Sequence, residues 1–333
     1  MSDKTKRHKA RRLAIFNHKG GVGKTTLTVN IAAALAASGK KVLLVDSDPQ
    51  SNLTSYLVEE SVVDKWLDTS ETADGKTLWS ALRPIVEATG DAFLVEAVEL
   101  RPKGTFLLPG DIRLSQFEED LSGKWNECFQ RKLKGFRGTS ALSLVINHAC
   151  AENSVDYVFY DCGPNIGPLN RVILLDCDYF IVPAACDLFS IRALKTLGHT
   201  LARWIQDWQL ILRIAPDGTY LIPGSPRFLG YIPQRFRVYR GQVASGAASY
   251  LPEIEKHIMS DIVNVLRKMD PQLAPGSMKD IRLGQVKDFG GIANTSQVQG
   301  VPIKDVNAGT AAQRSEAENI FASIAKRIVT ISS

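Results

Sequence analysis

The chain has 333 residues, of which 44% are apolar and 23% are charged, a composition typical of a globular protein with one large core. No apolar run approaches the roughly 18 residues that a membrane-spanning helix needs, so we expect neither a membrane span nor a membrane partner. The five cysteines are an odd number without a C-x-x-C pair, which argues against a disulfide framework and against a zinc site.

The net charge of +5 is concentrated at the N-terminus. Residues 1–12 contain six basic residues and one acidic residue, so 34 of the 40 basic and 34 of the 35 acidic residues belong to the rest of the chain. We interpret residues 1–11 as a flexible basic arm and residues 12–330 as one domain. Such an arm suits contact with phosphate groups, although a solvated tail has the same composition. Because no apolar signal segment follows it, we expect a cytoplasmic protein.

Along the chain, buried strands alternate with helices. Apolar runs at residues 13–16 and 41–45 flank a glycine loop and a helix over residues 27–37, which predicts a βαβ unit. Further strands are predicted at residues 157–160, 179–182 and 228–232, further helices at 188–208 and 311–328, and loop insertions near 216–226 and 271–276. This pattern indicates an α/β fold with a doubly wound, mostly parallel sheet and helices on both faces.

The clearest motif lies between the first strand and the first helix. Its glycines let consecutive backbone N–H groups and the helix N-terminus face phosphate oxygens. The predicted phosphate-binding residues are Lys19, Gly20, Gly21, Val22, Gly23, Lys24, Thr25 and Thr26. In such a loop Lys24 contacts the β- and γ-phosphates of a nucleotide, and Thr25 binds Mg²⁺ through its hydroxyl group. A glycine-rich turn without a ligand explains the glycines but not the Gly-Lys-Thr-Thr sequence that ends the motif.

This loop departs from the standard phosphate loop in a specific way. His18 occupies the position of the usual first glycine, and a second lysine, Lys19, follows it. The loop resembles the deviant Walker A motif of the ParA and MinD partition ATPases. In that family the extra lysine reaches the nucleotide of the partner subunit, so the resemblance implies that Lys19 acts across a homodimer that forms on ATP binding. A surface lysine without this role is the simpler alternative.

A second stretch extends the resemblance. Residues 46–52 read Asp-Ser-Asp-Pro-Gln-Ser-Asn, which is similar to the D-x-D-P-Q-x-N motif of the family. The resemblance implies that Asp46 organises the magnesium shell and that Asp48 orients the attacking water. Asp48 would then be catalytic together with Lys19 and Lys24. A helix-capping role explains Asp48 alone, but it does not explain two aspartates at the end of a buried strand.

A third stretch begins at Asp161. This residue ends a buried strand and is the natural Walker B carboxylate, which holds Mg²⁺ directly or through water. The family usually continues with two prolines where this chain has Gly163 and Pro164. The departure concerns the rigidity of the loop and leaves the expected metal role of Asp161 unchanged.

The resemblance implies an Mg²⁺-dependent ATPase that hydrolyses ATP to partition or position a plasmid, a mobile element or a chromosome. The implied partners are a second copy of the chain, non-specific DNA, and a stimulating protein such as a centromere-binding protein; association with the nucleoid would follow. For DNA contact we select Arg235, Arg237 and Arg240, which lie in an acid-free stretch with aromatic residues between them. A solvated basic face is the alternative. A second basic cluster comprises Lys124, Arg131, Lys132, Lys134 and Arg137.

Three other functions remain open at this stage. A MinD-like membrane-positioning ATPase would use an amphipathic C-terminal helix, but the acids Glu316 and Glu318 favour a helix packed on the sheet. The apolar stripe of that helix comprises Ala317, Ile320, Phe321, Ile324 and Ile328. A redox relative would bind an iron–sulfur cluster, for which Cys128 and Cys162 are the candidates. A nucleotide-switched assembly or regulatory protein, including one for mobile-element defence, would bind ATP with only incidental turnover.

Overall fold

The computed structural model describes residues 7–236, 238–239, 242–243 and 250–333, with side chains up to residue 234 and from residue 250 onward. The strands are β1 (Arg11–Ile15), β2 (Val42–Asp46), β3 (Val98–Leu100), β4 (Thr105–Leu108), β5 (Tyr157–Asp161), β6 (Tyr179–Ala185), β7 (Arg227–Phe236), β8 (Val238–Tyr239), β9 (Gln242–Val243) and β10 (Val286–Lys287).

Eight of these strands form one sheet in the order β10-β7-β6-β1-β5-β2-β4-β3. Every neighbouring pair is parallel except β3 and β4. The predicted doubly wound, mostly parallel sheet is therefore confirmed. β1 lies between β5 and β6, and the chain connections diverge on either side of it, so a crevice is expected at the carboxyl end of β1.

The helices cover this sheet on both sides. They are α1 (Lys24–Ala37), α2 (Asn52–Leu57), α3 (Glu60–Asp68), α4 (Leu78–Val86), α5 (Leu114–Phe129), α6 (Leu133–Asn153), α7 (Pro168–Asp176), α8 (Leu188–Ile214), α9 (Tyr250–His257), α10 (Asn264–Met269), α11 (Met278–Ile281), α12 (Gly291–Gln299) and α13 (Ala311–Ser332). A π-helical segment, Ile258–Val263, joins α9 to α10. Each helix and strand predicted above is present, although several are longer than their apolar runs.

The core has two halves, one on each face of the sheet. Alternate residues of a strand point to opposite faces, so in β1 Leu13 and Ile15 pack under α1 and α13. Ala14 and the following Phe16 belong to the other half of the core, which α4 to α9 cover. Because both faces are buried, the central strands read as continuous apolar runs rather than as an alternating pattern.

The apolar stripe of α13 packs against the core. Ala317, Phe321, Ile324 and Ile328 are buried, and Ile320 is partly buried against the same half of the core. The interpretation of this segment as a helix packed on the sheet is confirmed, and the stripe is not available as the apolar face of a membrane anchor. Separately, none of the described helices combines the length and apolarity needed to cross a bilayer.

β6 runs past the proline at which it was predicted to end. The carbonyl of Ile181 accepts a hydrogen bond from Phe16 N at 2.9 Å, so the backbone polar groups of Ile181 point towards β1. Those of Pro183, two residues later, point to the same side. β1 ends at Ile15, and the missing N–H of Pro183 therefore interrupts no ladder on that side. The extra residues bring the end of the strand up to the glycine loop.

Two basic residues near the N-terminus form ion pairs within the protein. Arg7 donates to Asp178 Oδ1 at 2.6 Å, and the fully buried Arg12 of β1 is paired with Asp176 of α7. Of the segment interpreted as a flexible arm, residues 1–6 lie outside the described residues. Two of the six basic residues in the range 1–12, Arg7 and Arg12, are thus neutralised within the protein.

Candidate functional site

The glycine loop lies at the carboxyl end of β1, on a cavity of about 540 Å³. Gly21 and Gly23 have left-handed backbone angles, with φ of 68° and 79°, a conformation that glycine adopts without strain. α1 begins directly afterwards, at Lys24, so its first free N–H groups face the cavity. This volume is in the range of cavities that bind small organic ligands and cofactors.

Lys24 lies across the loop that contains it. The side chain is buried, and its Nζ donates to the carbonyl of Asn17 at 3.1 Å and approaches that of Lys19 at 3.4 Å. Burial lowers the pKa of Lys24, and the nearby carboxylate of Asp161 opposes that shift. The amino group is thus held at the mouth of the loop, where an anion would compensate its charge.

Lys19 points in a different direction. Its backbone N–H donates to Asn17 Oδ1 at 3.0 Å, while its side chain reaches the N-terminus of α8. There Nζ forms an ion pair with Asp187 and lies 3.2 Å from Ser190 Oγ. The second lysine of the loop is therefore directed away from the cavity of its own chain.

Two buried carboxylates lie behind Thr25, at the ends of adjacent strands. Thr25 Oγ1 donates to Asp161 Oδ2 at 2.7 Å, and Asp46 Oδ2 accepts from the N–H and hydroxyl of Thr54 at 2.7 and 2.6 Å. The other oxygen of each carboxylate is buried without a hydrogen-bond partner. Burial raises the pKa of Asp46 to about 8, and the negative charge of Asp161 adds to this shift. Burial also raises the pKa of Asp161 to about 7, although the hydrogen bond from Thr25 acts to lower it. Asp46 Oδ1 and Asp161 Oδ1 are thus hard oxygen donors that could bind a cation.

Asp48 lines the cavity opposite the glycine loop. Its Oδ1 accepts from the backbone N–H of Gln50 at 3.0 Å, and the side chain is 6% exposed. A Cβ atom at Gly163 would lie 3.3 Å from the same Oδ1. The glycine that departs from the family pattern therefore leaves room next to this carboxylate.

Gln234, at the end of β7, holds the loop from the side. Its Nε2 donates to the carbonyl of Val22 at 2.7 Å, and a Cβ atom at Gly23 would lie 2.6 Å from Oε1. Our sequence reasoning missed this residue, since the predicted strand stopped two residues earlier. The sequence gives one indication of its role: the amide of Gln234 follows the apolar run 228–232 and Pro233 directly.

The far wall of the cavity was also missed. It comprises side chains from α2, from β10, from α12 and from the turn between β10 and α12, among them Tyr56, Val286, Phe289, Asn294 and Gln297. Tyr56 donates to, or accepts from, Ser296 of α12. These elements bring aromatic, aliphatic and amide groups to the end of the cavity that the glycine loop does not occupy.

The structure brings most of the predicted site residues together. Cavity-lining residues among them are Gly20, Gly21, Gly23, Lys24, Thr25, Thr26 and Asp48. Val22 is fully buried beneath the loop, while Asp46 and Asp161 lie behind Thr25. The side chain of Lys19, by contrast, is directed to the N-terminus of α8 and does not line the cavity.

The cysteines behave as core residues. Cys128 and Cys162, the candidates for an iron–sulfur cluster, are both buried, and burial raises the pKa of the Cys128 thiol to about 11 and that of Cys162 further. A cluster shared between subunits needs thiolates at the surface. Neither cysteine offers one.

The predicted DNA-binding arginines cannot be placed. Arg237 and Arg240 lie outside the described residues, and only the backbone of Arg235 is described. Within the same acid-free stretch, Arg227 is engaged internally, because its guanidinium lies 4.5 Å from the ring centroid of Tyr179.

The second basic cluster is largely paired with acids. Lys124, Lys134 and Arg137 lie 3.3, 2.6 and 3.6 Å from carboxylate oxygens of Asp120, Glu127 and Asp91. This cluster therefore offers less free positive charge than its sequence indicates.

Comparisons with known proteins agree with the motifs. A family model described as an AAA domain matches residues 10–214, which is more than half of the chain. The chromosome partitioning protein ParA of Caulobacter vibrioides is 33% identical over 194 residues, which cover 57% of this chain and 62% of that protein. The match thus spans less than two thirds of this relative.

Two solved structures share the fold along almost the entire chain. A protein from Corynebacterium diphtheriae is 25% identical with a TM-score of 0.69, and the match covers 96% of this chain and 98% of that one. McdA from Cyanothece, in a complex of a variant with ATP, is 18% identical with a TM-score of 0.62 and coverage of 96% and 97%. The family match rests on residues 10–214, where the glycine loop and both aspartate motifs lie. The chain therefore belongs to this AAA domain family and is a member of its ParA/MinD type of partition ATPases.

Proposed function

We propose that this protein binds ATP with Mg²⁺ in the cavity of the glycine loop, closes into a dimer around two nucleotides, and hydrolyses ATP to position a DNA cargo. One observation carries the proposal: the buried Lys24 and two buried carboxylates with unpaired oxygens, Asp46 and Asp161, lie at the same loop. This arrangement supplies a positive charge for phosphate oxygens and a negative site for a cation, side by side.

The residues present fit a magnesium ion. Thr25, Asp46 and Asp161 offer hard oxygen donors, and two of the carboxylate oxygens have no partner. Among the described residues no group of three His, Cys, Asp or Glu side chains is arranged to hold a metal. The remaining ligands would therefore come from the nucleotide phosphates and water, as is usual for Mg²⁺. Bound there, the ion would neutralise charge on the phosphates.

The chain's own residues then have separate roles. Lys24 binds the β- and γ-phosphates, and the loop N–H groups orient them. Asp48, at the cavity wall, orients the attacking water. Lys19 leaves Asp187 and reaches the nucleotide of the partner subunit, which requires a two-fold dimer. Hydrolysis resets the dimer, so the protein acts as a switch.

The cargo is proposed from the relative and from charge. The Caulobacter relative bears the name of a chromosome partitioning protein. The stretch 218–252 of this chain contains no acid, and its arginines suit contact with DNA phosphates without base recognition. A plasmid, a mobile element or a chromosome is the cargo class, and a centromere-binding or other protein is the stimulating partner.

The test measures ATP hydrolysis and DNA binding together. The wild-type protein should release phosphate from ATP with Mg²⁺, and with ATP it should retard duplex DNA of unrelated sequences, with log affinity falling linearly with log salt. The Lys24→Ala variant should lose both activities. ATP binding without turnover and without DNA retardation would instead favour a regulatory switch, and retention only on anionic liposomes would favour membrane positioning.

A further inference from the structure

A second pocket lies beside the loop of residues 162–167, which leads from β5 to α7. It has a volume of about 270 Å³ and lies between α5, the start of α7, and α8. Trp125 and Trp204 are buried in its walls, and Arg171 of α7 is its cation. We call it the Trp–Arg pocket. None of the described residues lines both this pocket and the cavity at the glycine loop.

In the described part of the chain, no carboxylate lies within ion-pair distance of Arg171 in this pocket. Its guanidinium stacks on Trp125, 3.8 Å from the ring centroid, but among the described residues it makes no hydrogen bond or ion pair, and its Nε is buried without an acceptor. The negative charge of Asp207 in α8 acts to raise the pKa of Arg171, but the two side chains do not form an ion pair. Burial lowers the pKa of Arg171 to about 10, so the group stays charged at neutral pH. The side chain is half-buried: only Nε is fully withdrawn from water, and the rest of the guanidinium opens to the pocket, where an anion would form an ion pair with it.

The walls indicate what kind of anion fits. The volume is below the range of cavities that bind nucleotides or cofactors, and it suits one or two side chains. Two indole rings favour an apolar neighbour next to the anionic group, and Ile166, 42% exposed, extends the apolar surface beyond the rim. Tryptophan and arginine are typical anchors of protein interfaces, and guanidinium binds carboxylate through paired hydrogen bonds.

We propose that the Trp–Arg pocket binds an acidic side chain and an adjacent apolar residue from a segment of a partner protein. The pocket is connected to the nucleotide site through α7. Asn170, next to Arg171, donates to the carbonyls of Gly163 and Asn165 at 3.0 Å each, and so fixes the loop that follows Asp161. A partner seated in the pocket therefore contacts the helix that holds this loop. Peptide binding itself does not require the proposed ATPase activity.

The experiment selects peptides on the full-length protein. A displayed library of random peptides is panned against the wild type and against Arg171→Gln. We expect the wild type to enrich peptides in which Asp or Glu adjoins an aromatic or aliphatic residue, and Arg171→Gln to lose this enrichment. Arg203→Gln, an exposed change on α8 next to Trp204, is the matched control and should retain it.

A synthetic copy of an enriched peptide then gives the affinity. Its binding, followed by tryptophan fluorescence, should weaken at least roughly tenfold when the peptide's acid is replaced by its amide or when Arg171 is replaced. If Arg171→Gln does not fold, Ser122→Trp provides the second variant, because it fills the pocket from an exposed position and leaves Arg171 in place. Three outcomes would overturn the proposal: enrichment of peptides without acids, enrichment by Arg171→Gln or Ser122→Trp equal to that by the wild type, or a fluorescence change with inorganic phosphate alone.

Discussion

Lys19 and Asp187 form an ion pair within one chain, between the glycine loop and the N-terminus of α8. Asp187 is also the N-cap of α8, accepting from Ser190 N at 2.8 Å. Burial acts to raise the pKa of Asp187, but the hydrogen bond and charge of Lys19, together with backbone hydrogen bonds from Ser190 and Phe189, outweigh it and hold that pKa below its ordinary value. A lysine that is to act on a partner's nucleotide must first leave this pair. In the dimer that we propose, the pair therefore opposes closure.

Replacing Asp187 with asparagine should strengthen ATP-dependent dimerisation. Asparagine preserves the helix cap but removes the charge that holds Lys19. A partly exposed pair contributes up to about 1 kcal/mol, and two pairs break per dimer, so the gain should reach at most about thirtyfold. Sedimentation with ATP measures it. Asp217→Asn, an exposed change in the loop after α8, is the control, and an unchanged Asp187→Asn dimer would refute the restraint.

Lys24→Ala should lose ATP binding while remaining folded. The variant removes charge-assisted bonds to two phosphate groups, each contributing about 1.5–3 kcal/mol, so the affinity should fall at least about a hundredfold. Isothermal titration calorimetry measures the loss, and Lys65→Ala, an exposed change on α3, should bind as the wild type does. Retained affinity in Lys24→Ala would exclude the loop as the phosphate site.

Asp48→Ala should bind ATP and accumulate as a dimer. The glycine loop and the carboxylates behind Thr25 remain, whereas the attacking water loses the group that orients it. The rate of hydrolysis should fall at least about a hundredfold, which is the lower limit of the usual effect of a side chain that accepts a proton from the nucleophile. Light scattering and phosphate release measure the two effects. A monomeric Asp48→Ala protein in ATP would contradict this role.

The glycine loop was predictable because its structure is determined locally. Left-handed backbone at Gly21 and Gly23, and a helix that begins at Lys24, follow from residues adjacent in sequence. Asp46 and Asp161 were predictable for a related reason, since parallel strands end at the same edge of a sheet, where their terminal residues meet.

The parts that sequence did not predict depend on distant pairings. Gln234 reaches Val22 only because β7 pairs with β6 and continues through a proline. The far wall of the cavity joins α2 to α12, more than 200 residues later in the chain, as the Tyr56–Ser296 bond illustrates. Neither of these contacts produces a pattern among residues that are adjacent in the sequence. The pairing of Arg12 inside the protein was hidden in the same way, because its partner lies in α7.

The charge of Arg12 makes Asp176 important for stability. Arg12 is fully buried, bonds to Ser143 Oγ at 2.7 Å, and pairs with Asp176, which also accepts from Tyr160. Asp176→Asn leaves this guanidinium buried without a counter-ion and should lower the free energy of unfolding by about 3–5 kcal/mol. Urea denaturation measures it. Glu152→Gln, an exposed change on α6, should cost little, and a similarly small loss in Asp176→Asn would show that the pair is dispensable.

The same carboxylate should make the wild type more sensitive to acid than the variant. Burial acts to raise the pKa of Asp176, but Arg12, then Arg7, and hydrogen bonds from Tyr160 and Ser143 together outweigh it and hold the pKa below its usual value of 3.8. A carboxyl group whose pKa is lower in the folded state contributes its full stabilisation above its unfolded pKa and loses it as pH falls through the folded pKa. The free energy of unfolding of the wild type should therefore fall more steeply below about pH 4 than that of Asp176→Asn. Urea denaturation at a series of pH values from about 7 to about 3 compares the two proteins, and the difference between them should narrow towards the acid end. Parallel curves over this range would mean that Asp176 has the same proton affinity in the folded and unfolded states, and that the guanidinium of Arg12 does not control its ionisation.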